Sequence, residues 1–156
     1  MLGVDIRLTS SDNQLVEDLI YEIVPRIKKY VYGYDNDKLE QVIADLLIKN
    51  NLTVSTAESC TSGLLASRLT DVPGSSQYFK GGSVCYSNEL KINDIGIDKD
   101  LIERHGAVSE EVAKSLAKNI AQKNNTDLGI GITGIAGPDG GTEKKPVGLV
   151  LSLIHI

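Results

Sequence analysis

Residues 127–133 read Asp-Leu-Gly-Ile-Gly-Ile-Thr, a short apolar run without polar alternation. Such a run predicts a strand buried on both faces, which requires a sheet covered by helices on either side. The flanking sequence agrees. Apolar residues recur at helical spacing through Leu15, Leu19, Ile20, Ile23, Val24 and Ile27, and again through Leu39, Val42, Ile43, Leu46 and Leu47. Further strands are predicted over 4–8, 52–56 and 83–86. Helices are predicted over 11–30, over 61–70, 88–95, 99–105 and 109–123, and after a cap at Asp35 or Asp37, with a kink or break at Pro25. Strands alternating with helices make this an α/β chain.

Composition narrows the function. The 156 residues fit one core, and the formal net charge of -5 disfavours nucleic acid as a partner. Tyr30, Tyr32 and Tyr34 beside Lys28 and Lys29 could stack on bases, but packing explains them better. No apolar stretch is long enough for a membrane span and no signal-peptide pattern opens the chain, so a cytoplasmic protein is expected. Cys60 and Cys85 lack zinc-ligand spacing and are too few for a disulfide scaffold. Neither a metal nor a cofactor is expected; the partner is a small-molecule substrate.

Thirteen of the fifteen glycines lie at or after Gly63, which places the loop-bearing and chemically active part in the back of the chain. Three segments stand out. Thr56-Ala57-Glu58-Ser59-Cys60-Thr61-Ser62-Gly63 joins a strand to a helix, where free amides and the Ser59 and Thr61 hydroxyls would bind an anion or simply cap the helix. Pro73-Gly74-Ser75-Ser76 offers Ser76 as a nucleophile or is only a turn; its base would be His105, or Lys91 or Tyr86 lowered in pKa by burial. Thr133-Gly134-Ile135-Ala136-Gly137-Pro138-Asp139-Gly140-Gly141 could bring amides to a phosphate or an oxyanion, yet matches no nucleotide-binding fingerprint.

These segments, with Tyr86-Ser87-Asn88-Glu89-Leu90-Lys91 and His105-Gly106-Ala107-Val108-Ser109, resemble consecutive blocks of the CinA C-terminal domain, the PncC-like nicotinamide-nucleotide amidohydrolase family. Residues 4–50 are similar to the segment that follows the large N-terminal molybdopterin-binding-like domain and precedes this one in full-length CinA proteins. The resemblance implies a three-layer α/β/α sandwich with a mixed sheet, commonly dimeric, preceded by a small α+β linking segment. It implies metal-independent hydrolysis of nicotinamide mononucleotide (NMN) to nicotinate mononucleotide and ammonia in pyridine nucleotide salvage. By motif position, Ser76 would be the nucleophile, activated by Tyr86 and Lys91. Ser59 and Thr61 would contact substrate, while Thr133 and Gly134 would line the pocket and help hold the oxyanion. Two departures stand out. Ser62 replaces a usual glycine, and the family's later stretch, with an arginine of the substrate site, does not follow.

The expected organisation is therefore a linking segment over 1–35, an incomplete amidohydrolase domain over 36–150, and a tail over 151–156. That tail, Leu151-Ser152-Leu153-Ile154-His155-Ile156, resembles one translation frame of the mosaic-end sequence in transposase-based sequencing adapters. It is expected to be read-through, leaving a truncated C-terminus and an aggregation-prone chain, although 147–156 also has strand composition. Two competing functions remain: a non-catalytic nucleotide-binding or regulatory module of a competence- or damage-inducible protein, and an amidase using Cys60 as nucleophile.

Overall fold

The computed structural model describes residues 4–156. Residues 1–3 of the expected linking segment lie outside the described residues. The chain forms two compact units, residues 1–43 and 44–156.

In the first unit, helix α1 spans Asn13–Ile27 and runs through Pro25 without ending there. The Asp12 carboxylate caps it by accepting from the Gln14 amide at 2.9 Å. A 3-10 turn, Lys28–Tyr30, follows. The strand expected over 4–8 is not formed; that stretch has no regular structure. Its alternation supplies a strand's composition, but a strand needs a ladder partner. Asp35 and Asp37 also do not cap the next helix. Asp35 is left-handed (φ 52°), and the Asp37 carboxylate accepts from the Tyr34 amide at 2.9 Å. Helix α2, Leu39–Lys49, carries the unit boundary within it.

The second unit holds a mixed four-stranded sheet of β1 (Val54–Glu58), β2 (Phe79–Val84), β3 (Leu128–Gly134) and β4 (Val150–His155) in the order β2-β1-β3-β4. β1 is parallel to β2 and β3, while β4 is antiparallel to β3. Around the sheet run α3 (Leu64–Thr70), α4 (Asn88–Asn93), α5 (Lys99–His105) and α6 (Glu110–Asn124). Ala57 joins Val112, Leu116 and Ile120 of α6 in the core, and Ser55 Oγ donates to the Ile120 carbonyl on the same face. Alternation along β1 turns Thr56 and Glu58 to the other face, toward α3. Helices on both faces of a mixed sheet are the α/β sandwich expected from the sequence.

Strand boundaries differ from expectation where it matters. β1 and β2 begin two and four residues away from their predicted starts, because neighbouring strands rather than local composition set the ladder. The tail from Val150 pairs with β3, Gly134↔Val150 through Gly129↔His155, with Leu151 and Leu153 half-buried and Val150, Ser152 and Ile154 exposed. Among the described residues, no helix is long and apolar enough to cross a membrane.

Candidate active site

The parallel strands β1, β2 and β3 end at one edge of the sheet, where α/β proteins place ligands. A cleft of about 210 Å³ lies there, lined by Ser59, Cys60, Tyr86, Asn88, Lys91, Ala107, Val108, Thr133, Gly134 and Ala136.

Ser59 is the first residue after β1 and is held from both sides. Its amide donates to the Ile132 carbonyl at 3.0 Å, and the preceding Glu58 carbonyl accepts from the Cys85 amide at 2.8 Å. Lys91 comes from α4, which Ser87 caps by accepting from the Leu90 amide. Helical side chains tilt toward the helix N-terminus, so the Lys91 chain runs back beneath the residues that lead into α4. Its Nζ lies 3.0 Å from Ser59 Oγ, 2.9 Å from the Cys85 carbonyl and 2.9 Å from the Tyr86 carbonyl. Lys91 is only 2% exposed, and all three partners are uncharged oxygens. Burial pushes its pKa below the ordinary 10.5, against the opposing influence of the Cys85 and Cys60 thiols. A neutral amine has two N–H donors and one lone pair. As an ammonium Lys91 donates to Ser59 Oγ and both carbonyls; once neutral, with the two carbonyls taking its N–H groups, it would offer the lone pair to the Ser59 hydroxyl.

The anion site expected at the start of α3 is already filled. Glu58, 1% exposed, accepts from the amides of Gly63 and Leu65 through Oε2 (3.1 and 3.0 Å) and of Ala66 through Oε1 (2.8 Å). The chain's own carboxylate therefore sits where a substrate phosphate was expected. Ser62, at the position where a glycine was expected, takes the left-handed φ of 50° that favours glycine.

Ser76 does not join the others. It is exposed in a 3-10 turn, Ser75–Gln77, ahead of β2, whereas Tyr86 and Lys91 follow β2. Six strand residues at about 3.3 Å each put Ser76 roughly 20 Å away, at the opposite edge of the sheet. The neighbouring Gln77 and Tyr78 line a separate cavity there. The serine beside Lys91 is Ser59, which the sequence reading had only as a substrate contact. The strand shift hid this. With β2 beginning at Phe79, Ser76 lies at a strand's entrance, and the rule that ligands bind where strands end points to Ser59.

The remaining expected residues divide. Thr133 and Gly134 line the cleft, but the Thr133 hydroxyl donates to the Ala107 carbonyl at 2.9 Å, and what Gly134 contributes is space. A Cβ on Gly134 would meet the Leu149 carbonyl at 2.7 Å and Cys60 Sγ at 2.8 Å. Thr61 is not part of the lining; its buried hydroxyl has no partner among the described residues. Tyr86 engages Lys91 through its main chain, while its side chain, 66% exposed, stands at the cleft. Burial pushes the Cys60 thiol above its ordinary value, the reverse of an activated nucleophile. His105 has Nδ1 3.5 Å from Glu111 Oε1. Among the described residues, no three His, Cys, Asp or Glu side chains cluster as a metal site would require.

The model of the CinA C-terminal domain matches residues 36–154. The chain belongs to this family. It is 48% identical over 143 residues to a CinA-like protein of Dictyoglomus thermophilum, a match covering 92% of this chain and 35% of that one. The chain thus spans about a third of the length of that curated relative. Among solved structures it resembles the competence/damage inducible protein CihA of Agrobacterium tumefaciens (TM-score 0.71, 36% identity, 80% of this chain and 81% of that one). It also resembles a competence-damaged protein (CinA) superfamily protein of Escherichia coli (TM-score 0.73, 32% identity, 83% and 78%). The CinA fold is therefore shared along most of the chain, and the Ser59–Lys91 pair sits inside the matched region.

Proposed function

We propose that this CinA-family chain hydrolyses a carboxamide, that of nicotinamide mononucleotide, with Ser59 as nucleophile and Lys91 as general base. The observation that carries the reading is the 3.0 Å contact between Lys91 Nζ and Ser59 Oγ inside a cleft at the strand ends. A serine hydroxyl needs a base to attack an amide, and a lysine serves only when neutral. Burial of Lys91 without a carboxylate partner favours that form.

Ser59 Oγ attacks the amide carbon while its proton passes to Lys91 Nζ, giving a tetrahedral oxyanion. The main-chain N–H groups of Cys60 and Thr61, which point at the Cys60 thiol, are the nearest donors in sequence. A donor of this kind is typically worth roughly 3–4 kcal/mol of barrier. The resulting Lys91 ammonium protonates the leaving nitrogen as ammonia departs. Water, deprotonated in turn by Lys91, then cleaves the acyl-enzyme ester to release the carboxylate and return the proton to Ser59. The pyridinium charge of the substrate draws electrons from the carboxamide and eases the attack. Tyr86 then acts as an aromatic wall for the cationic ring.

The test is ammonia release from NMN by the chain and by Ser59→Ala, each with EDTA. Turnover that survives EDTA and is lost with Ser59→Ala supports the reading. No turnover from folded protein favours the nucleotide-binding or regulatory module instead.

A further inference from the structure

If the substrate is a mononucleotide, its phosphate needs a cation, and the helix start that looked suited to it is occupied by Glu58. A second anion there would meet a carboxylate. Lys91 is no substitute, since its three contacts are all within the protein. We propose that Lys145, on the 135–149 loop between β3 and β4, is the phosphate-binding residue of this cleft. The proposal rests on the amidase reading for the identity of the nucleotide.

Lys145 is half-buried, and its Nζ donates to the His105 carbonyl at the end of α5, at 2.7 Å. A Cβ on Gly106 would come within 3.2 Å of that Nζ, and Ala107, the next residue, lines the cleft. The same loop supplies Ala136 to the lining near its start. Lys145 does not itself line the cleft; its ammonium lies against His105 and Gly106, next in sequence to the lining residues Ala107 and Val108. One of its three N–H donors is used by His105, which leaves two for phosphate oxygens.

The main chain around Lys145 is also fixed. Its amide donates to Thr142 Oγ1 at 3.0 Å, and its carbonyl accepts from the Thr142 amide at 2.8 Å. Such a closed turn reduces the ordering that binding would otherwise require. Glu111, the acidic side chain at this corner, faces His105 Nδ1 at 3.5 Å.

The experiment is calorimetric binding of NMN and of its phosphate-free riboside to Ser59→Ala, with and without Lys145→Gln or Lys145→Arg. NMN should bind at least about tenfold more tightly than the riboside, the scale of charge-assisted hydrogen bonds. Lys145→Gln should erase that difference, Lys145→Arg should keep most of it, and riboside affinity should not move. The proposal is overturned if the preference survives Lys145→Gln, if both ligands weaken equally, or if the parent binds them alike or not at all. Ammonia release by the unmodified chain is run alongside. Lys145-dependent preference without ammonia keeps the phosphate site and sinks the amidase reading; ammonia without preference does the reverse.

Discussion

Lys91 Nζ and Ser59 Oγ stand 3.0 Å apart although 32 residues separate them in the chain. The end of β1 delivers the serine and α4, which follows β2, delivers the lysine. Because those strands are parallel neighbours, their exits meet. That relationship favours Ser59 over Ser76, the serine expected from the sequence as nucleophile. Ser59→Ala is expected to lower NMN turnover by at least about four orders of magnitude, as loss of a nucleophile does. Ser76→Ala, at the far edge, should leave turnover within about twofold of the parent, the scale of a surface substitution. Steady-state ammonia assays on the two variants check this; equal loss in both would refute the assignment.

Lys91 also makes pH dependence predictable. Its folded pKa is lowered by burial, so in the window from that value up to the ordinary 10.5 the unfolded chain binds more protons than the folded one. Stability from this group therefore rises with pH through the window; below it the full cost of burying the ammonium is present. Denaturant titrations at stepped alkaline pH should show this rise in the parent and a smaller one in Lys91→Met. Turnover should rise through the lowered pKa as well, because the neutral amine is the base.

Glu58 holds the start of α3 through three amides, so removing its carboxylate should leave three half-buried donors without that acceptor. Glu58→Ala is expected to cost about 3 kcal/mol of stability, since hydrogen bonds to charged groups are the stronger ones. A change in urea midpoint at constant slope is the readout. Activity should fall too, because the same turn carries Ser59.

Much of the fold was legible before any coordinates. The apolar run at 128–132 marked β3, buried fully on the face under α6 while Leu128 and Ile130 on the other face are half-buried, and α5 and α6 appeared at or within a residue of their predicted spans because cap residues such as Ser109 mark them. The strand expected over 4–8 does not form, since that stretch has alternation but nothing to pair with. Within the site, Lys91, Thr133 and Gly134 were found as cleft residues. Ser59, expected as a substrate contact, lies beside Lys91, and Ser76 does not, because local composition starts β2 four residues late. Glu58 was read as part of an anion-binding loop, yet it supplies the anion. A single strand register decides which face a carboxylate meets, and sequence alone fixes register poorly without knowing the neighbours.

The Leu-Gly-Ile-Gly-Ile pattern of β3 has its own physical reason. Gly129 and Gly131 sit beneath α6 so closely that a Cβ on Gly131 would lie 2.4 Å from the Ala113 carbonyl and 2.5 Å from the Ala117 amide nitrogen. Those are backbone atoms, so no side-chain rotation relieves the clash, and α6 would have to lift off the sheet. Gly131→Ala is expected to destabilise by about 3 kcal/mol, the upper range for overpacking. Gly148→Ala offers the contrast. No atom lies within 4 Å of its added Cβ, but its φ of 89° lies in the left-handed region, so it should lose only about 1 kcal/mol. Urea melts of both variants separate steric from conformational cost. A Gly131→Ala chain as stable as the parent would mean that α6 does not rest on β3 as closely as these distances require.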